Sequence, residues 1–238
     1  MSQSPHIDGN LPHGWRLWVR VLSRIVILVG IFAAFLFGAA GRIDWAAAWL
    51  VIVFFTGFLV LFIAWGLRHA PDLIRERSQV ASNVKGWDKV INGLYALLLF
   101  SLMVVAGLDV RFGLSSVAIA LQVVGFAGFV AAVYAIWRAL AENPFASRYA
   151  RIQDDRGQQV IRSGPYRIVR HPMYAAIILL IICLPLTLGS WLALIPGVLI
   201  SALFVLRTAL EDRMLLGELP GYADYARVTR YRLLPGIW

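Results

Sequence analysis

The chain has 238 residues, 60% of them hydrophobic and 15% charged, with a mean hydropathy of +0.74 and a formal net charge of +9. That composition lies well outside the range of a soluble domain. The basic residues are spread over segments flanking apolar runs and are not gathered on one soluble module, which argues against a nucleic-acid partner.

Apolar stretches run at about 25–41, 45–67, 90–108, 114–137, 173–188 and 191–206. A helix needs ~20 residues to cross a hydrocarbon core of ~30 Å, and the second, third and fourth stretches meet that length. Ahead of the first, Arg16, Arg20 and Arg24 recur every four residues beside Trp15, Leu17, Trp18 and Val21, the pattern of an interfacial helix leading into a span. The first stretch could pass for a signal-peptide core ending near Gly38-Ala39-Ala40, but a long polar leader precedes it and five further stretches follow, so it reads as a membrane helix. Trp45, Trp49, Trp65 and Trp87 fall near span ends, where indoles favour the headgroup layer. Asp72, Arg75, Glu76 and Arg77, after Pro71, predict a short surface helix. Gly125 and Gly128 predict close helix packing, although their spacing is not G-x-x-x-G.

The last two stretches have about 16 residues each and are joined by Gly189-Ser190. At ~1.5 Å per residue each covers only ~24 Å, so they predict a tight hairpin. With six spans, the leader, the 68–89 loop, the 138–172 loop and the C-terminal segment share one side and carry 3, 5, 7 and 5 Lys/Arg, against Arg42 and Arg111 on the other. The positive-inside rule makes the richer side, with both termini, cytoplasmic. The expected fold is therefore all-α: a polytopic integral membrane protein of about six transmembrane helices. Residues 1–137 form a scaffold, and 138–238 form the active region of loop, C-terminal helical hairpin and tail.

That second region begins with a loop too long and too varied to be a mere connection. It holds Phe145, Tyr149 and Tyr166 and ends in Gly164-Pro165-Tyr166-Arg167-Ile168-Val169-Arg170-His171-Pro172-Met173-Tyr174. Pro172 suits the first position of a helix and biases His171 toward extended angles, making His171 the cap. The N–H groups of Met173 and Tyr174 are then free to meet a carboxylate or phosphate, helped by the helix dipole. The plainer alternative is that His171 only caps and Tyr174 only anchors. Arg207 and Glu211, four residues apart, share a helix face where the hairpin re-enters the interface. As an exposed ion pair they would contribute only about 0.3–0.5 kcal/mol; at membrane depth ionisable groups point to function. The tail residues Tyr222, Tyr225, Tyr231 and Arg232 either cover a pocket or anchor at the interface. Cys183 stands alone, which leaves no disulfide framework, and His6, His13, His69 and His171 lack zinc-site spacing, so no metal is expected.

Gly164-Pro165-Tyr166, Arg170-His171-Pro172-Met173-Tyr174, an apolar hairpin, Arg207 with Glu211, Gly221-Tyr222-x-x-Tyr225 and a terminal Arg-Leu-x-Pro together resemble the isoprenylcysteine carboxyl methyltransferase family and its relatives, the membrane phospholipid methyltransferases. The resemblance covers about residues 143–238. It implies S-adenosyl-L-methionine-dependent methyl transfer in a pocket at the cytoplasmic interface, with a lipid-like or prenylated acceptor arriving from the membrane. A bacterial inner membrane is the expected location. By resemblance, Gln158, Gln159, Val160, Ile161, Tyr166, His171, Pro172, Met173, Tyr174 and Glu211 hold the cofactor. Arg207 faces the acceptor, and Arg207, Glu211 and His171 form the catalytic set. A carboxylate acceptor needs no general base, whereas an amine would need His171 or Glu211. The alternatives are phospholipid N-methylation and an NADPH-dependent membrane reductase, since some sterol-reductase-like proteins look similar in the same region.

Overall fold

The computed structural model describes residues 14–78 and 83–238, with side chains described from Leu22 onward. Every regular element among them is helical: α1 (Gly14–Ala40), α2 (Ala46–His69), α3 (Pro71–Ser78), α4 (Gly86–Phe112), α5 (Ile119–Glu142), α6 (Pro172–Leu188), α7 (Leu194–Glu218) and α8 (Tyr222–Val228), with single 3-10 turns at Asp154–Arg156 and Gly164–Arg167. The side chains of Arg16 and Arg20 in the expected leader, with His6 and His13, lie outside the described residues.

Five of these helices are long and apolar enough to cross a membrane: Leu22–Ala40 within α1, then α2, α4, α5 and α7. Their outward faces carry large apolar side chains such as Val26, Leu61 and Ile119, each more than two-thirds exposed. Such a girdle is stable only against lipid. The protein is a polytopic integral membrane protein. Helix α6, with 17 residues, is the short member. Helix α7 departs from expectation. The apolar run at 191–206 yields its first residues to the hairpin turn, and the helix then continues for 25 residues to Glu218. Arg207, Glu211 and Asp212 do not end it, because each finds its partners within the protein.

Small residues set the helix spacing. A Cβ on Gly125 would lie 2.9 Å from Leu186 Cβ and Thr187 N, and one on Gly128 would lie 2.5 Å from Cys183 Sγ, so α5 and α6 touch as the two glycines predict. Gly107 plays the same part between α4 and α1, where an added Cβ would meet Ala39 Cβ at 2.6 Å and Leu36 O at 2.7 Å. In the hairpin, Pro185 sits inside α6 and cannot donate to the Ile181 carbonyl. Gly197 of α7 packs on that same carbonyl, which would stand 3.3 Å from an added Cβ. Gly189, with φ +84°, closes α6 in the left-handed conformation that favours glycine.

Alternation of direction puts the α1–α2 link, the α4–α5 link and the hairpin turn at one end of the bundle. That far end is fastened by Asp109, which is 1% exposed. Its carboxylate accepts from the Ser115 amide, the Ser115 hydroxyl and the Ser190 hydroxyl. The opposite, near end gathers α3, the 143–171 loop, α8 and the tail.

Candidate active site

The near-end loop is shaped by local rules. Asn143 precedes Pro144, takes extended angles and ends α5. Its Oδ1 accepts from the Phe145 amide at 2.9 Å, and its Nδ2 reaches the Tyr166 hydroxyl at 3.2 Å. Gln153, 1% exposed, is the keystone of the next turn. Its Nε2 donates to the Phe145 carbonyl at 2.6 Å, and its amide donates to Gln158 Oε1 at 2.8 Å. Gly157, at φ +59°, then reverses the chain and presents Gln158, Gln159, Val160 and Ile161. Outside this turn, α3 supplies Glu76, whose carboxylate receives both Nε and Nη2 of Arg151 at 3.0–3.2 Å. The surface helix expected around Asp72, Arg75, Glu76 and Arg77, observed as Pro71–Ser78, is thus a brace for the loop.

The start of α6 is held from the tail. The amides of Arg170 and His171 donate to the carbonyls of Tyr231 and Arg232 at 2.9 Å each. His171 has φ −125° and ψ 62° and caps α6 without a side-chain bond to it. One expectation needs correction: the Tyr174 amide is not free, because it donates to the His171 carbonyl at 3.1 Å. That turn-like bond leaves at most the Met173 amide of the two for an anion.

Beneath this junction lies Asp212, fully buried. Arg170 grips it with Nε and Nη2 at 2.8 Å each, Arg232 Nε lies at 2.8 Å, the Tyr222 hydroxyl donates at 2.8 Å and His171 Nε2 stands at 3.2 Å. The remaining nitrogen of Arg170 donates to the carbonyls of Thr229 and Arg230. A buried charge is tolerable only when paired and hydrogen-bonded, and here one carboxylate fastens α6, α7, α8 and the tail together. Burial, reinforced by the Asp212 carboxylate, pushes the Tyr222 hydroxyl far above the ordinary phenol range, and burial pushes Tyr225 up to about 12. Burial likewise raises Tyr166. All three are therefore hydroxyl donors at neutral pH.

Above Asp212 opens a cleft walled by the loop, the start of α6, α7 and α8. Its wall contains all ten predicted cofactor residues: Gln158, Gln159, Val160, Ile161, Tyr166, His171, Pro172, Met173, Tyr174 and Glu211. Tyr222 and Tyr225 also line it, so these tail aromatics cover a pocket, while Tyr231 is partly exposed. Glu211 accepts the Tyr174 hydroxyl. Arg207 is the one predicted site residue absent from the lining. It pairs with Asp88 of α4, Nε to Oδ1 2.9 Å, and not with Glu211. Its guanidinium carbon stands 5.2 Å from the centre of the Tyr174 ring, directly behind the cleft wall.

Sequence reasoning missed Asp88 and Asp212 as organising groups, and with them Arg170. The signal was present in each case: an acidic residue beside or within an apolar run, which is costly without a partner. A second cavity lies among the membrane helices, lined almost wholly by apolar residues of α1, α2, α4, α5 and α6. Tyr95 on its wall packs on Phe204 at 5.3 Å, and Phe204 packs on Tyr174 at 5.5 Å. Three aromatic rings thus run from the lining of one space to that of the other. Among the described residues no group of three or more His, Cys, Asp or Glu is arranged to hold a metal ion.

The chain is thus a helical membrane bundle with a polar, tyrosine-walled cleft at one end and an apolar cavity among its helices. Residues 121–217, from the start of α5 almost to the end of α7, match the model of the isoprenylcysteine carboxyl methyltransferase (ICMT) family. This bears out the resemblance drawn from the motifs, and a domain of this family implies a membrane methyltransferase. No curated protein matches the chain.

Proposed function

We propose that the chain transfers a methyl group from S-adenosyl-L-methionine to a lipid-like or prenylated acceptor, by carboxyl O-methylation of the isoprenylcysteine type. The observation that carries this reading is that all ten cofactor positions implied by the family line one cleft, although they come from three separate segments. The donor set suits the cofactor. Glu211 offers a carboxylate to an ammonium, the dipole of α6 favours a carboxylate at its N-terminal end, and the faces of Tyr166 and Tyr174 attract a sulfonium. Apolar Val160, Ile161, Leu215 and Leu219 suit an adenine face. The cofactor supplies an electrophilic methyl on a sulfonium; the protein supplies position and exclusion of water.

In this reading residues 138–238 form the catalytic region and 1–137 the scaffold. The apolar chamber takes the lipid part of the acceptor, and Arg207, in the wall between the two spaces, orients its carboxylate. A carboxylate is already ionised, so no base is required. The near end carries the Arg/Lys-rich loops and faces the cytoplasm under the positive-inside rule.

The test is titration of detergent-purified protein with S-adenosylhomocysteine and, separately, NADPH, with the Glu211→Gln variant alongside. Saturable S-adenosylhomocysteine binding that weakens by about tenfold or more in the variant is expected, the effect of losing a charge-assisted contact. Saturable binding of NADPH alone would overturn the reading in favour of a reductase. Membranes incubated with radiolabelled S-adenosylmethionine should then give base-labile label, the mark of a methyl ester. Base-stable label in phospholipid would move the acceptor to an amine.

A further inference from the structure

Asp88 lies in the first turn of α4, outside the segment that matches the methyltransferase family, and it is fully buried. One oxygen, Oδ2, accepts the Ala150 amide at 2.9 Å and Asn92 Nδ2 at 3.0 Å. The other, Oδ1, stands 2.9 Å from Arg207 Nε, but the two atoms are not aligned as a hydrogen bond, and each is buried with no other hydrogen-bond partner. The contact is therefore one of charge and place. Arg207 is completed by the Arg148 carbonyl, 2.9 Å from Nη2, and by the Tyr174 ring beneath it. Without Asp88 the guanidinium would be a buried cation with one carbonyl, the rings of Tyr174 and Phe204 and the unpaired charge of nearby Glu211 to hold it, which would draw it from its place toward Glu211.

We infer that Asp88 is a positioning residue of the active site: it acts through Arg207, holding the guanidinium on Tyr174 in the wall between the cleft and the apolar chamber, and so fixes where an acceptor carboxylate can sit. This rests on the methyltransferase reading above. The same carboxylate ties the wall to the loop, because Ala150 lies between Tyr149 and Arg151, both in the cleft lining. A scaffold helix thereby sets the register of two pieces of the site at once.

The experiment is a double-mutant cycle in the full-length chain, using Asp88→Asn, Arg207→Gln and the pair. The readouts are methyl transfer to an S-prenylated N-acetylcysteine, with KM and kcat resolved, and S-adenosylhomocysteine affinity. Asparagine keeps an oxygen for Ala150 and removes the charge that faces Arg207. Asp88→Asn should raise the acceptor KM or lower kcat by about tenfold while S-adenosylhomocysteine affinity stays within about threefold. In the Arg207→Gln background the same change should cost almost nothing. Asp88→Glu, which keeps the charge, should recover part of the loss. An equal loss in both backgrounds, or loss of S-adenosylhomocysteine binding along with turnover, makes Asp88 a structural residue and overturns the inference. A wild-type chain that transfers no methyl group overturns the functional reading, and this role falls with it; that failure is visible before any variant is made.

Discussion

Two neighbouring carboxylates on α7 have divergent tasks because one residue of helix turns a side chain by about 100°. Glu211 faces Tyr174 and the cleft, whereas Asp212 faces inward to Arg170, Arg232, Tyr222 and His171. Replacing Asp212 by Asn leaves two guanidinium groups short of their counter-charge, and breaking a buried pair of this kind costs about 3–5 kcal/mol. The expected outcome is a large fall in the thermal midpoint of the purified protein, with the tail released to protease. Glu211→Gln should lower cofactor affinity and leave that midpoint almost unchanged. The tyrosines give a pH test. Tyr225 ionises near 12 in the folded protein because it is buried, against ~10 for a free phenol. Between those values the unfolded chain holds fewer protons than the folded one, so this group's stabilisation is full below pH ~10 and is lost as pH rises toward 12. Tyrosinate absorbance recorded beside unfolding should show the two events together in that window.

At the scale of elements, contact between helices depends on residues with nothing to spare. A Cβ at Gly128 meets only the Cys183 sulfur, whereas one at Gly125 meets the Thr187 backbone amide. Gly128→Ala should therefore be destabilising by about 1–3 kcal/mol, and adding Cys183→Ala should recover much of it. Gly125→Ala should not be recovered by any side-chain change on α6. Thermal midpoints of these three variants, with Gly125→Ala also combined with Cys183→Ala, decide this. The glycine pair was readable from sequence because helix packing in a membrane needs small residues. The true extent of α7 was not. Hydropathy ends the span at 206, and only the partners of Arg207 and Asp212, which lie far away in sequence at Asp88 and Arg170, explain how the helix continues past its charges. That the ten residues assigned to a cofactor by resemblance share one cleft was legible because motif order and spacing survive in the chain. The free N–H expected at Tyr174 failed on a local detail, the turn-like bond to His171.

For the whole molecule, the two ends of the bundle do separate work. Asp109 fastens the far end through Ser115 and Ser190, remote from the cleft. Asp109→Asn should lower stability yet leave S-adenosylhomocysteine affinity unchanged in the protein that remains folded, as calorimetric titration after size exclusion would reveal. Orientation can be read with the same economy, because Cys183 is buried and is the chain's only cysteine. A cysteine placed at exposed Arg162, beside the cleft, should react with an impermeant maleimide in inverted vesicles and not in intact cells, if the near end is cytoplasmic.

The shortness of α6 has a mechanical meaning for the membrane itself. Its 17 residues measure about 25 Å along the axis, some 5 Å less than a typical hydrocarbon core. If the hairpin turn sits flush at the far surface of such a bilayer, the His171 end and the cleft beside it lie below the near headgroups, and bilayer thickness then governs access to the cleft in the methyltransferase reading. Reconstitution into lipids of increasing acyl length should submerge the cleft mouth and slow cofactor entry, while one extra helical turn inserted in α6 should lift the site clear of the lipid and strand the acceptor below it.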